Sequence, residues 1–271
     1  MTPMVFTLLE KPQQQLDLSV VTPDRLARAG KRIAALEARL GGRKTALGDL
    51  FRISGSDPQN IELRRTTDKV CRIGYAMSEG SITVKSHGGS LLGENMHGGA
   101  IRVGGDCGDW LACDMHGGSI EVAGDAGDYL GNGSHNSIRG MGDGCITVWG
   151  NVGDRIGGKM RRGTIIVAGT AGDYTGANMI AGTIIILGKS GNLPGYGMQR
   201  GSIILAARPH GIGDTMLSCG RLKMAFLQLL FKQLSSMGGK YLRFKKYRDE
   251  AHRYAGDMAN AGKGELLVLQ K

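Results

Sequence analysis

Short runs alternating apolar and polar residues recur along the middle of this chain at a fixed interval of 19 residues. Gly80-Ser-Ile-Thr-Val84 returns as Gly99-Ala-Ile-Arg-Val103, Gly118-Ser-Ile-Glu-Val122, Gly144-Cys-Ile-Thr-Val148, Gly163-Thr-Ile-Ile-Val167, Gly182-Thr-Ile-Ile-Ile186 and Gly201-Ser-Ile-Ile-Leu205. The leading glycines are 19, 19, 26, 19, 19 and 19 residues apart, and the long interval is one period plus a seven-residue insertion. A methionine column (Met77, Met96, Met115, Met141, Met160, Met179, Met198) keeps the same spacing. Apolar residues two apart in a β-branched run predict a strand with one face inward. A unit this short cannot bury a core alone, so the units must stack. The expected fold is all-β: a parallel β-helix of about seven 19-residue coils, with small α/β caps at both ends. Stacking sets each ladder isoleucine over the next at about 4.8 Å.

Outside the repeat the pattern changes. Residues 1–59 read as an N-terminal cap, 60–217 as the β-helix, and 218–271 as a C-terminal helix and strand tail. In the cap, Met4 to Leu9 and Leu16 to Val21 read as strands. Thr22-Pro23-Asp24 starts a helix with Thr as N-cap and Pro at the first helical position. The spacing Ile33, Leu36, Leu40 predicts a second helical stretch ended by Gly41-Gly42, and Leu47 to Phe51 leads into a short strand. Ile61-Glu-Leu63 echoes the ladder, so residues 60–79 form a degenerate first coil. In the tail, Leu222 to Leu234 reads as a helix, Tyr241 to Tyr247 as a strand and Glu265 to Leu269 as a final strand.

Composition fits this picture. The 46 glycines lie largely in turns such as Gly105-Asp-Cys-Gly-Asp109, where positive φ is needed. The five cysteines are scattered without a C-x-x-C pair, which argues against disulfides and a thiolate metal site. There is no run of 18 apolar residues and no signal-like N-terminus, and the expected location is cytoplasmic. A formal charge of +10 calls for an acidic partner. Aromatic residues are only 5% of the chain, so charge is the sole argument for nucleic acid, and no nucleic-acid or membrane partner is expected.

Three constellations carry possible chemistry. Gly153-Asp-Arg-Ile-Gly-Gly158-Lys159-Met160 follows a phosphate-loop pattern up to Met160, but a strand follows it where a helix is required. Asp109, Asp128, Asp154, Asp173 and Asn192 form a column in which each side chain is expected to cap its own turn; a cation ladder is the alternative. His97 and His116 stack, but their column continues as Gly142, Arg161 and Ile180, which supplies no third ligand. No catalytic, cofactor-binding or metal residue is assigned.

One surface does stand out. The residue between the two ladders is Thr83, Arg102, Glu121 and Thr147, then Ile166, Ile185 and Ile204. Three adjacent outward isoleucines require a cover. The tail helix offers two stripes, Leu222, Phe226, Leu229 and Leu230 on one face and Met224, Leu227 and Phe231 on another. The expectation is that the first packs on the chain's own coils and the second meets a partner. The candidate partner interface is therefore Met224, Leu227, Phe231, Ile166, Ile185 and Ile204.

The Gly-x-Ile-x-Val units with Gly-Asp-x-Gly-Asp turns and a closing Met resemble the β-helix of two groups. These are the C-terminal domain of glutamate synthase large subunits and the C-type subunit of formylmethanofuran dehydrogenases. The insertion ending Arg139-Gly-Met141, the Leu47-Gly-Asp-Leu-Phe51 segment and Tyr241-Leu-Arg-Phe244 favour the second group. The Ala/Arg-rich segment at 25–40 is most similar to its bacterial form, from the formyltransferase/hydrolase complex of methylotrophic bacteria. The resemblance implies a cytoplasmic complex in which this chain is a scaffold. Its sister subunits would be an amidohydrolase-like A-type, a B-type and a formyltransferase of D-type. That complex moves a formyl group from tetrahydromethanopterin to a methanofuran-type carrier and releases formate. The carrier's glutamate arms are anionic, which the basic charge of this chain would suit. The alternatives are the C-type subunit of a molybdenum or tungsten formylmethanofuran dehydrogenase, and an autonomous ligand-binding solenoid using the Asp or His column.

Overall fold

The computed structural model describes residues 2–269. The chain opens with β1 (Pro3–Leu8), whose alternate residues Met4, Phe6 and Leu8 are buried. The next strand, β2 (Leu16–Asp17), is shorter than expected because Asp17 Oδ1 accepts the Ser19 N–H at 2.9 Å and turns the chain away. Helix α1 (Pro23–Ala29) starts at Thr22 as read, with the Thr22 carbonyl accepting the N–H groups of Arg25 and Leu26.

The second helical stretch is corrected. A 3-10 turn spans Gly30–Ala35, and then β3 (Glu37–Leu40) pairs with β4 (Arg43–Ala46) as a hairpin. Gly41 and Gly42 have φ of 56° and 86°, a tight two-residue turn that reverses the chain. Period-2 burial at Ala38 overrides the 3.6-residue spacing of Ile33, Leu36 and Leu40. A single turn, α2 (Leu47–Leu50), leads into β5 (Phe51–Ser54).

From β6 (Asp57–Arg64) onward the repeat takes over. A brief β7 (Val70–Cys71) joins β2, and the 19-residue units contribute β8 (Ser81–Val84), β9 (Ala100–Val103), β10 (Ser119–Val122), β11 (Cys145–Val148), β12 (Thr164–Val167), β13 (Thr183–Ile186) and β14 (Arg200–Leu205). Along this ladder the strands pair in parallel, isoleucine against isoleucine: Ile61↔Ile82, Ile101↔Ile120, Ile165↔Ile184. Residues 60–79 therefore do start the ladder. A second ladder of parallel bridges runs Gly88↔Cys107↔Ala126↔Val152. Further backbone bonds, such as Gly131 N–H to Leu111 O and Gly157 N–H to Leu130 O, tie the units on another side. The result is a mostly β, solenoid-like fold around one 13-stranded, mainly parallel sheet.

The glycine and methionine columns have one shared cause. A Cβ on Gly118, where φ is 88°, would lie 2.8 Å from both the Gly99 carbonyl oxygen and Met96 Cε. The methionine of one unit fills the space that the leading glycine of the next unit vacates, and every methionine of the column is fully buried.

The tail departs from expectation in three places. Leu217–Lys223 is a strand, β15, so the helix α3 begins only at Ala225 and runs to Ser236. Tyr241 to Tyr247 is not a strand: a 3-10 helix covers Gly239–Lys246. Its apolar residues Tyr241, Phe244 and Tyr247 are three apart, the 3-10 repeat, and they pack toward α3, with Phe231 and Phe244 rings 6.0 Å apart. The polar stretch after it forms a further strand, β16 (Glu250–Gly256), before β17 (Lys263–Leu269). The tail shares the main sheet: β17 pairs in parallel with β14, Ile203 opposite Leu266, and β16 and β15 follow antiparallel. Antiparallel strands thus close both ends, with β5 and β15 as the two edges.

Candidate functional site

The aspartate column is built differently from the reading of the sequence. Each Oδ1 reaches the next unit: Asp109 accepts the Asp128 N–H at 2.9 Å, Asp128 that of Asp154 at 2.7 Å, Asp154 that of Asp173 at 2.8 Å, and Asp173 that of Asn192 at 2.6 Å. A parallel column runs beside it. Asp106 accepts from Asp125 at 2.9 Å, Asp125 from Asn151 at 2.6 Å, and Asn151 from Thr170 at 2.9 Å. The caps therefore bridge units instead of closing their own turns. At Asp173 the bonds from the Asn192 backbone and side chain hold the carboxyl below its ordinary range. Such carboxylates are committed to backbone donors. Among the described residues no group of three or more His, Cys, Asp or Glu side chains is placed to hold a metal ion.

The His97 and His116 rings do stack, with centroids 4.9 Å apart. Sequence reasoning missed a second set of polar groups around Glu94. Its carboxylate lies 3.3 Å from Arg72 Nε, and burial raises its pKa against the pull of that guanidinium. Cys113, one step along, donates to Asp114 Oδ2 at 3.8 Å. Burial first, then the Asp114 charge, push the Cys113 thiol up to about 12. Cys107 is likewise pushed up to about 12 by burial, and all five cysteines are free. Both are inert thiols at neutral pH.

The phosphate-loop look-alike has a structural job. Gly157 N–H donates to the Leu130 carbonyl, and Lys159 Nζ donates to the Ser137 carbonyl at 2.9 Å. Lys159 is thus the anchor of the insertion in the fourth unit. That insertion exposes Ile138 at 82% of its surface and sets His135 over the Trp110 ring at 5.2 Å.

The candidate partner interface is corrected. Ile166, Ile185 and Ile204 are fully buried beneath Leu227, Phe231 and Leu234 of α3, with Met224 partly buried at its start. The two stripes have exchanged places: Phe226 is 41% exposed and Leu229 67%. Because α3 starts at Ala225, Leu222 belongs to β15 and cannot extend the first stripe, whereas Leu227, Phe231 and Leu234 run unbroken along one face. Thr147 is covered as well, its hydroxyl 2.9 Å from that of Tyr241.

No protein-family model and no curated protein sequence matches this chain. A solved structure does. The X-ray crystal structure of the formyltransferase/hydrolase complex (FhcABCD) from Methylorubrum extorquens, in complex with methylofuran, contains a chain that is 32% identical. The alignment covers 98% of this chain and 100% of that one, with a TM-score of 0.88. The chain belongs to a subunit family of the formyltransferase/hydrolase complex. A match over both full lengths takes in the caps, the insertion and the tail as well as the repeat. The likeness therefore extends over the whole architecture described above, in which the polar columns of this chain serve the joints between its units.

Proposed function

We propose that this chain is the C-type subunit of a formyltransferase/hydrolase complex, a parallel β-helix of about seven regular coils that acts as a scaffold and carries no catalytic residue. The end-to-end match to a chain of that complex carries the reading. The aspartate column supports it, since the side chains best placed for chemistry are spent on backbone N–H groups of neighbouring coils. In the complex, a formyl group would pass from tetrahydromethanopterin to a methanofuran-type carrier and be released as formate, in the cytoplasm. The reactions would belong to the amidohydrolase-like subunit with its B-type companion, and to the formyltransferase subunit.

The face offered to a sister subunit is the outer side of α3, where Phe226 and Leu229 are exposed. Residues 217–248 hold eight Lys and Arg and no Asp or Glu, so the segment that carries this face is basic and suited to an acidic protein surface. Affinity purification of the tagged chain from its native cell tests the assignment. Co-purification of a formyltransferase and an amidohydrolase-like chain is expected, with no formyl transfer or hydrolysis by the chain alone. Turnover by the isolated chain that Asp128→Ala abolishes would refute the scaffold role.

A further inference from the structure

The column that begins with the stacked His97 and His116 rings loses its side chain at Gly142 and regains one at Arg161. His116, Gly142 and Arg161 are in register: their N–H groups donate to the Met96, Met115 and Met141 carbonyls at 2.7, 2.7 and 2.9 Å. The backbones of His116 and Arg161 are two strand spacings, roughly 10 Å, apart with only Gly142 between them. The His116 ring leans in so that its Nδ1 lies 3.3 Å from where a Gly142 Cβ would sit. The space opens as a notch of about 380 Å³. Arg161 and Arg162 line it together with Arg139, which comes from the insertion.

That rim is held in place. Gly140 N–H donates to the Lys159 carbonyl at 2.8 Å, and Lys159 Nζ grips the Ser137 carbonyl. Among the described residues, none of Arg139, Arg161 and Arg162 takes part in an ion pair. The one carboxylate lining the notch, Asp143, has its Oδ1 occupied by the Gly144 N–H at 2.7 Å. Three guanidiniums around a single carboxylate leave the notch with net positive charge, and their planar forks match carboxylate and phosphate oxygens.

We infer that the notch at Gly142 is a binding site for a small ligand bearing two or more carboxylate or phosphate groups. Arg161 and Arg162 clamp one anionic group, and Arg139 meets a second. His116, braced by His97, forms the floor. The site stands whether or not the chain serves as a scaffold.

Calorimetric titration of the full chain with citrate, and separately with pyrophosphate, tests this at low salt. Saturable one-site binding is expected, the tighter of the two probes identifying carboxylate or phosphate as the natural group. The double variant Arg161→Gln/Arg162→Gln should weaken it by on the order of tenfold or more. Gly142→Val puts a branched side chain into the base of the notch without changing charge and should weaken it too. Arg32→Gln, an exposed change in the N-terminal cap with the same loss of one charge as either single arginine change, should leave it unaltered. Melting curves confirm that each variant is folded. The site is refuted by absence of binding of both probes to the native chain at millimolar concentration. It is equally refuted if Arg32→Gln weakens binding as much as Arg161→Gln alone, or if Gly142→Val leaves it intact, since either marks diffuse attraction to a basic surface.

Discussion

At Asp128 one carboxylate oxygen joins two units, accepting the N–H of Asp154 at 2.7 Å. Asn in its place presents the same acceptor, so Asp128→Asn should leave stability nearly unchanged, while Asp128→Ala loses a bond of about 1 kcal/mol. Ile120 is the opposite case. It is 1% exposed and sits between Ile101 and Ile146 in the inward ladder. Ile120→Asp places an unpaired charge there, at a cost of several kcal/mol. Urea denaturation of the three variants should rank Ile120→Asp far below Asp128→Ala, with Asp128→Asn close to the native chain. A drop for Asp128→Asn as large as that for Ile120→Asp would show that the carboxylate's charge, and not its acceptor oxygen, holds the units together.

Helix α3 separates packing from assembly within a dozen residues. Phe231 is 3% exposed, against the Phe244 and Tyr247 rings at 6.0 and 5.5 Å. Phe231→Lys should cost about 3–5 kcal/mol or more and lower the melting temperature of the isolated chain. Leu229→Lys, on the outer face, should leave that temperature alone and reduce recovery of sister subunits in a pull-down. Equal melting losses from both would mean the outer face is also core. The sequence held most of the repeat region in plain view, because its strands, glycines and methionines recur in register and each copy confirms the rest. The tail occurs once, so no such check applied. There the spacing of Tyr241, Phe244 and Tyr247 fits a 3-10 turn, and the alternation of residues around Leu217 to Lys223 is hidden by exposed, mixed side chains. The polar columns were visible as columns, but whether an Asp caps its own turn or the next is decided by backbone direction, which composition does not carry.

On the scale of the whole chain, β6 and β14 are joined through β8, β9, β10, β11, β12 and β13, each one strand spacing from the last. The sheet from β6 to β14 therefore spans seven steps of about 4.8 Å, on the order of 34 Å. The seven extra residues of the fourth unit leave this count alone, because they loop out between Gly131 and Met141, whose backbones stay bonded to each other. Only whole periods change it. Removing residues 99–117 joins Gly98 to Gly118 with every ladder intact, and the shortened chain should still unfold cooperatively. Removing 99–108, half a period, should abolish folding, because it turns a strand against a corner. Circular dichroism melts of the two deletions distinguish these outcomes, and equal survival of both would contradict the registry of the units. The unit count makes the molecule a gauge. Anything that must hold the N-terminal cap and the α3 face at once is set to one length, adjustable only in notches of a single strand, and a partner fitted to the native span would miss its second grip on the shortened chain by one notch.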